Sequence, residues 1–138
     1  MDIVSHALAG AASGAVFGHP IVGAVVGVMP DAVLPLQRIA APTACYRGTH
    51  SAIVALCVAL LAWGFGISLA LLGCAVLAWC SHIALDLPTH ANLWAPRLLY
   101  PFSDVHYEKG IEWEFLSDEW YIGFLITLIW IFICQNFS

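Results

Sequence analysis

Charged residues are scarce in this chain. Asp, Glu, Lys and Arg make up 9% of its 138 residues, whereas hydrophobic residues make up 62%. A soluble domain of this length needs far more charge to cover its surface. The composition therefore excludes an ordinary soluble protein and indicates a small integral membrane protein, with one domain over residues 1–138.

Basic residues and closely paired cysteines are also missing where they would indicate particular functions. The N-terminus, MDIVSHALAG, carries an acid where a cleaved signal peptide would carry Lys or Arg, so no such peptide is expected. The five cysteines contain no C-x-x-C pair and do not indicate a disulfide framework. The net charge is -5, which argues against a nucleic-acid partner. Six of the nine acids fall close together: Asp104, Glu108, Glu112, Glu114, Asp118 and Glu119.

What is abundant is apolar sequence, in four segments separated by loops at 30–49 and 88–119. The segments are 7–18, 21–29, 52–80 and 121–134. A membrane-spanning helix needs about 20 residues, so the first two are too short to span separately. Gly18-His19-Pro20 is a break signal, because proline disfavours helix in the residue before it. We therefore predict a helical hairpin over 3–29, with small residues on facing sides of its two helices.

The third apolar segment also predicts a hairpin. A single helix from His50 to His82 would rise about 48 Å, which exceeds a hydrocarbon core of about 30 Å. Gly64-Phe65-Gly66 offers a turn near its midpoint. The predicted fold is all-α, a polytopic membrane helical bundle built from two helical hairpins plus a C-terminal transmembrane helix.

The stretch CSHIALDLPTH places His82, Asp86 and His90 at intervals of four. Residues at i and i+4 share a helix face, so an imidazole and a carboxylate can converge on one ion. An ionisable group within an apolar segment is costly to bury unpaired and indicates function. The alternative is a His–Asp hydrogen bond that joins helices. Pro88 predicts that the helix ends before His90, which makes His90 the weaker candidate.

Two hairpins would bring five such residues to one side of the bundle: His6, Asp31, His50, His82 and Asp86. Imidazoles favour Zn²⁺, and carboxylates favour Mn²⁺ or Mg²⁺, so we predict one or two divalent ions with zinc preferred. A bound ion lowers the pKa of water and polarises a phosphoryl or acyl oxygen. Asp31 or Asp86 could bridge two ions, and a carboxylate not used as a ligand could act as general base.

Arg47 is one of four basic residues and lies close to His50 in CYRGTHSA. It could hold a phosphate by charge-assisted hydrogen bonds, or it could anchor a helix end at the headgroup level. His106, Glu108 and Glu112 form a weaker second group. They could hold another ion or contact substrate, or they could belong to a solvated acidic loop.

These motifs resemble those of the YdjM-like family of membrane-bound metal-dependent hydrolases. The resemblance rests on the early His, PD, RGTHS and SHIALDLPTH, and it covers roughly residues 1–104. The order of ligands is also similar to that of zinc-dependent phospholipase C and related single-strand nucleases. That similarity implies that His6, Asp31, His50, His82 and Asp86 are metal ligands, with His90 and the His106 group where further ligands occur. The later H-x-x-x-E spacing of those enzymes is not cleanly present, so one or two ions are expected rather than three.

The function expected from these observations is hydrolysis of a phosphoester in a phospholipid or lipid-linked substrate by metal-activated water, with Asp31 and Arg47 as catalytic residues. An ester or amide lipid is a further candidate substrate. The alternatives are a non-enzymatic membrane protein that binds or transports divalent metal ions, and a metal-stabilised scaffold without turnover.

The expected location is the bacterial inner membrane. All four basic residues fall in the two long loops, so the positive-inside rule places the site at the cytoplasmic face. The glycine-rich faces can pack within one chain or between chains, which leaves a homo-oligomer open.

Overall fold

The structure is a computed structural model that describes residues 3–32, 42–106 and 118–136. Within these ranges the chain is helical and contains no strand, which confirms the predicted all-helical class. The described ranges contain six α-helices: α1 (Ile3–Ala15), α2 (Pro20–Val28), α3 (Pro42–Thr49), α4 (Ala52–Gly64), α5 (Leu69–Asp86) and α6 (Asp118–Gln135). A short 3-10 helix lies at Asn92–Trp94. Helix α3 corrects the prediction of a continuous loop over 30–49.

Helices α1 and α2 form a tight hairpin. The turn contains Gly18 at a φ of 75°, a conformation that favours glycine, and Pro20 is the first residue of α2. The two helices approach so closely that a Cβ atom on Gly10 would overlap the backbone carbonyl of Gly23. A Cβ on Gly27 would lie 2.7 Å from the carbonyl oxygen of His6. These glycines therefore pack within one chain, the first of the two alternatives open from the sequence.

Helices α4 and α5 form the second helix pair. Ser51 caps α4 by accepting a hydrogen bond from the Val54 amide at 3.3 Å, and Ser68 caps α5 in the same way. The turn between the helices contains Gly66 at a φ of 86° and lies at the predicted Gly64-Phe65-Gly66 break. Because the chain reverses here, His50 and His82 return to the same end of the pair.

Helix α5 lies at the centre of the described structure and packs against α1, α2 and α4. The indole of Trp79 donates a 2.7 Å hydrogen bond to the Thr49 carbonyl, which joins α5 to the end of α3. Helix α6 lies against α1, where the Trp130 indole donates to the Ser13 hydroxyl at 2.9 Å. The Trp79 bond therefore holds α5 against the junction of α3 with α4, at the end of the bundle where His50 and His82 lie.

One helix in the described ranges, Leu69–Asp86, is long and apolar enough to cross a membrane. Helices α1, α2 and α4 are apolar but shorter, at 13, 9 and 13 residues. Large apolar side chains face outward along the helices, such as Ile21, Leu61, Phe65 and Leu69. So much exposed apolar surface suits contact with lipid or with another protein.

Candidate metal centre

His82 and Asp86 lie one turn apart near the end of α5, and both side chains are fully buried. His82 Nε2 is 3.1 Å from Asp86 Oδ2. His50 follows the last residue of α3, and its Nε2 is 3.1 Å from the same carboxylate oxygen. The two Nε2 atoms of His50 and His82 are 3.0 Å apart. Three potential ligand atoms therefore meet at one point.

Asp31 completes this group from the turn that follows α2. Its Oδ1 lies 3.5 Å from His50 Nε2 and 3.7 Å from His82 Nε2. Potential ligand atoms of Asp31, His50, His82 and Asp86 all lie within 4.8 Å of one another, and this cluster could hold a metal ion. The Asp31 side chain is 20% exposed, whereas the side chains of the other three residues are fully buried. Solvent therefore reaches the cluster on the side of Asp31.

The outer hydrogen bonds of the two imidazoles leave their Nε2 lone pairs available. His82 Nδ1 lies 2.6 Å from the carbonyl oxygen of Gly27, an acceptor that requires a proton on Nδ1. His50 Nδ1 lies 3.1 Å from the carbonyl oxygen of Tyr46. In the neutral tautomers that make these bonds, both Nε2 atoms face each other and the carboxylates without a proton. Such a set of converging lone pairs fits a cation.

His6 and His90 face the opposite side of the carboxylates. His6 Nε2 is 3.1 Å from Asp86 Oδ1 and 3.9 Å from Asp31 Oδ2, and its ring stacks on His82 with centroids 3.7 Å apart. His90 Nδ1 is 3.3 Å from Asp86 Oδ1. Each carboxylate thus turns one oxygen toward His50 and His82 and the other toward His6.

The His50 imidazole is subject to opposing influences. Burial alone would lower its pKa, but hydrogen bonding and charge from Asp31 and Asp86 outweigh it, so the pKa lies above its ordinary value. In the absence of a cation, the carboxylates thus favour a proton on His50. A metal ion would take the place of that proton at the same nitrogen.

Tyr46 forms a wall of the site that the sequence reasoning missed. Its buried ring stacks on His50 with centroids 3.7 Å apart, and Trp94 meets it edge-on at 5.2 Å. Burial, with the nearby negative charges, raises the pKa of the Tyr46 phenol, so it stays a neutral hydrogen-bond donor. The available signal was the i, i+4 spacing of Tyr46 and His50, the same spacing that identified His82 with Asp86.

Arg47 lies on α3 beside Tyr46 and is about three-quarters buried. Its Nη1 is 3.7 Å from Asp104 Oδ1. The same carboxylate oxygen accepts a 2.7 Å hydrogen bond from Arg97 Nη1. Asp104 is therefore the partner of two arginines, which the sequence did not indicate.

The other predicted residues lie elsewhere. His106 is half-buried, and its Nδ1 is 3.2 Å from the Asp104 carbonyl oxygen, apart from the cluster of Asp31 and His50. Glu108 and Glu112 lie outside the described residues. His19 precedes α2 in the turn of the first hairpin, at the far end from His6.

Comparison with known proteins places this helical chain in a family. The family described as YdjM inner membrane protein matches residues 1–137. The chain belongs to that family. No curated protein and no solved structure matches it. Membership supports an integral membrane location and a bilayer context for the buried His and Asp cluster.

Proposed function

We propose that this protein is a membrane-embedded metal-dependent hydrolase that cleaves a phosphoester in a phospholipid or a lipid-linked substrate. One observation carries the proposal: two imidazole nitrogens and two carboxylate oxygens converge within 4.8 Å, with the imidazoles held by outer hydrogen bonds. This donor set of nitrogen and oxygen fits zinc first, with manganese or magnesium as alternatives. The proposal agrees with the resemblance to metal-dependent hydrolases and zinc-dependent phospholipase C.

A bound divalent ion would supply Lewis acidity and would lower the pKa of its bound water to about 7. The residues of the chain supply the rest of the chemistry. Asp31 is the cluster member that solvent reaches, so with a single ion on its Oδ1 the second oxygen of this carboxylate would be placed to accept a proton from attacking water. Arg47 stabilises negative charge on the phosphoryl group. The bonds from His50 and His82 to backbone carbonyls keep the imidazoles oriented throughout.

The carboxylates support two ion positions. One would be held by His50 and His82 with Asp31 Oδ1 and Asp86 Oδ2. The other would be held by His6 with Asp31 Oδ2 and Asp86 Oδ1, and His90 lies 3.3 Å from the latter oxygen. Two ions bridged by carboxylates can stabilise both the attacking and the leaving oxygen of a displacement.

The proposed setting is a polytopic bundle of two hairpins and a C-terminal transmembrane helix in the bacterial inner membrane. The family and the outward-facing apolar side chains support it. The site would lie at the cytoplasmic face, because the four basic residues flank it in the sequence. A lipid headgroup would meet the exposed side of Asp31 there.

The second candidate is a non-enzymatic membrane protein that binds or transports divalent ions. The observation that favours it is burial, because His50, His82 and Asp86 are fully enclosed. A closed site with saturated coordination is typical of structural metal ions. Turnover of a lipid phosphate separates the two functions.

The deciding experiment measures metal per chain on purified protein. Wild type is expected to retain zinc or manganese, and His82→Ala with Asp86→Ala is expected to lose it, because two of the converging ligands are gone. His19→Ala is the matched control, since it removes an imidazole at the far end of the bundle. No metal in folded wild type, even after zinc and manganese are added, would overturn the proposal.

A metal-loaded protein should then release the headgroup or phosphate from phospholipids and lipid phosphates in mixed micelles. Asp31→Asn is expected to lower turnover, because the amide is a weaker base and a weaker ligand. Full metal occupancy without turnover of any phosphoester would favour the second candidate.

A further inference from the structure

Arg47 and Arg97 share one carboxylate in a part of the structure outside the metal cluster. Arg97 Nη1 donates to Asp104 Oδ1 at 2.7 Å and to the Asp104 carbonyl oxygen at 3.0 Å. Arg47 Nη1 lies 3.7 Å from the same Oδ1. Two positive charges therefore face one negative charge, and the group has a net positive charge.

Both arginines also contain donors without acceptors. The Nε atoms of Arg47 and Arg97 are buried and have no hydrogen-bond partner in the part of the chain that the structure describes. Arg97 is only 8% exposed, which is unusual for an arginine. Buried donors on charged groups are costly when unsatisfied. The two arginines have more hydrogen-bond donors than the Asp104 carboxylate can satisfy. An anion with more oxygens would satisfy them.

Asp104 is well placed to give way to such an acceptor. Its side chain is 68% exposed, whereas the Arg97 side chain that it binds is 9% exposed. The carboxylate can therefore turn into solvent at little cost while the buried guanidinium stays in place. Asp104 then acts as an internal substitute for a larger anion.

The arginines are connected to the metal centre through the residues around His50. Ser51 donates a 2.7 Å hydrogen bond to the Tyr100 carbonyl, within the loop that joins Arg97 to Asp104. The Ala52 amide donates to the Leu98 carbonyl at 3.1 Å. Arg47 follows Tyr46, whose ring stacks on His50. These contacts place both arginines close in the fold to the segment that carries His50.

We propose that Arg47 and Arg97 form an anion subsite for a phosphate group, which displaces the carboxylate of Asp104 when it binds. Arginine forks match phosphate oxygens and bind them with charge-assisted hydrogen bonds. The subsite extends the role given to Arg47 and adds Arg97, and it rests on the proposed function only for the identity of the phosphate as part of a substrate.

The test is phosphate binding by purified, metal-loaded protein, measured by calorimetry with inorganic phosphate and with phosphatidic acid in detergent micelles. Arg97→Gln is expected to weaken binding about tenfold, since charged hydrogen bonds are lost. Asp104→Asn is expected to tighten binding by several-fold, because the competing carboxylate is gone. Phe65→Glu serves as the control, because it changes the net charge by the same one unit at the exposed tip of the second hairpin.

The two variants are expected to change the affinity for phosphate in opposite directions. Misfolding cannot explain both results, because an unfolded variant cannot bind phosphate more tightly. An Asp104→Asn protein that binds phosphate no better than wild type would show that Asp104 only clamps the loop, and would overturn the subsite. A Phe65→Glu loss equal to that of Arg97→Gln would also overturn it, as a general effect of charge.

The two ligands and the metal content separate the remaining outcomes. A loss in Arg97→Gln with both ligands assigns the subsite to the phosphate group alone, and a loss only with phosphatidic acid assigns it to a lipid headgroup. The expected variant effects on binding without any turnover would support the subsite while removing the hydrolase. If the protein turns over a phosphoester and binds phosphate, and neither variant changes these properties, the hydrolase is supported and the subsite is overturned.

Discussion

The orientation of His82 depends on a single backbone carbonyl. Its Nδ1 lies 2.6 Å from the carbonyl oxygen of Gly27, which fixes the tautomer and points Nε2 at His50 and the carboxylates. Outer hydrogen bonds of this kind fix the orientation of a metal-binding imidazole and raise its basicity. Because Gly27 lies on α2 and His82 on α5, the packing of the first hairpin sets the geometry of the site.

At the same scale, His6→Ala tests the two ion positions. We expect wild type to bind two zinc ions per chain and the variant to bind one, because His6 faces the carboxylate oxygens that His50 and His82 do not use. Metal analysis after dialysis gives the count. Equal zinc in both proteins would leave a single ion position, with His6 as a stacking partner of His82.

Some of these residue contacts could be predicted from the sequence and others could not. His82 and Asp86 are one helical turn apart, so their spacing predicts their contact. The bond from His82 to Gly27 joins residues 55 positions apart, and nothing local encodes it. Arg97 and Asp104 lie in an irregular loop without a period, so their pairing also depends on tertiary structure.

Among the helices, α1 and α2 are joined by backbone contact rather than by interlocking side chains. A Cβ on Gly23 would overlap the carbonyl of Gly10, so Gly23→Val should separate the helices. We expect a loss of about 3 kcal/mol in stability, at the upper end for overpacking, together with loss of metal.

Thermal unfolding in detergent and metal content give the two readouts for Gly23→Val. Gly48→Ala is the matched control, because nothing lies within 4 Å of its added Cβ. A Gly23→Val protein with unchanged melting and full metal would contradict the close packing of the hairpin.

The sequence predicted the long elements better than the short one. Gly18-His19-Pro20 and Gly64-Phe65-Gly66 lie where the helices break, because glycine and proline act locally. The sequence predicts a loop where α3 lies, since PTACYRGT contains a proline, a glycine and few apolar residues. Its position depends on contacts from elsewhere, including the bond from Trp79 to the Thr49 carbonyl.

For the whole molecule, the proposed orientation can be tested with single cysteines in a cysteine-free chain. Phe65 lies at the tip of the second hairpin and Phe102 in the loop near the site, and both side chains are more than 80% exposed. We expect Phe65→Cys to react with a membrane-impermeant maleimide from the periplasm, and Phe102→Cys only after the inner membrane is opened. The reverse pattern would place the site on the periplasmic side.

The lengths of the hairpins carry a consequence for the bilayer itself. Helices α1, α2 and α4 rise about 20, 14 and 20 Å, well short of a hydrocarbon core of about 30 Å. One way in which such a mismatch is relieved is thinning of the membrane around the protein. Thinning brings the nearest lipid headgroups closer to the end of the bundle that contains the cluster of His50, His82 and Asp86. The protein would then draw its substrate down to the metal centre, without lifting the lipid out of its leaflet.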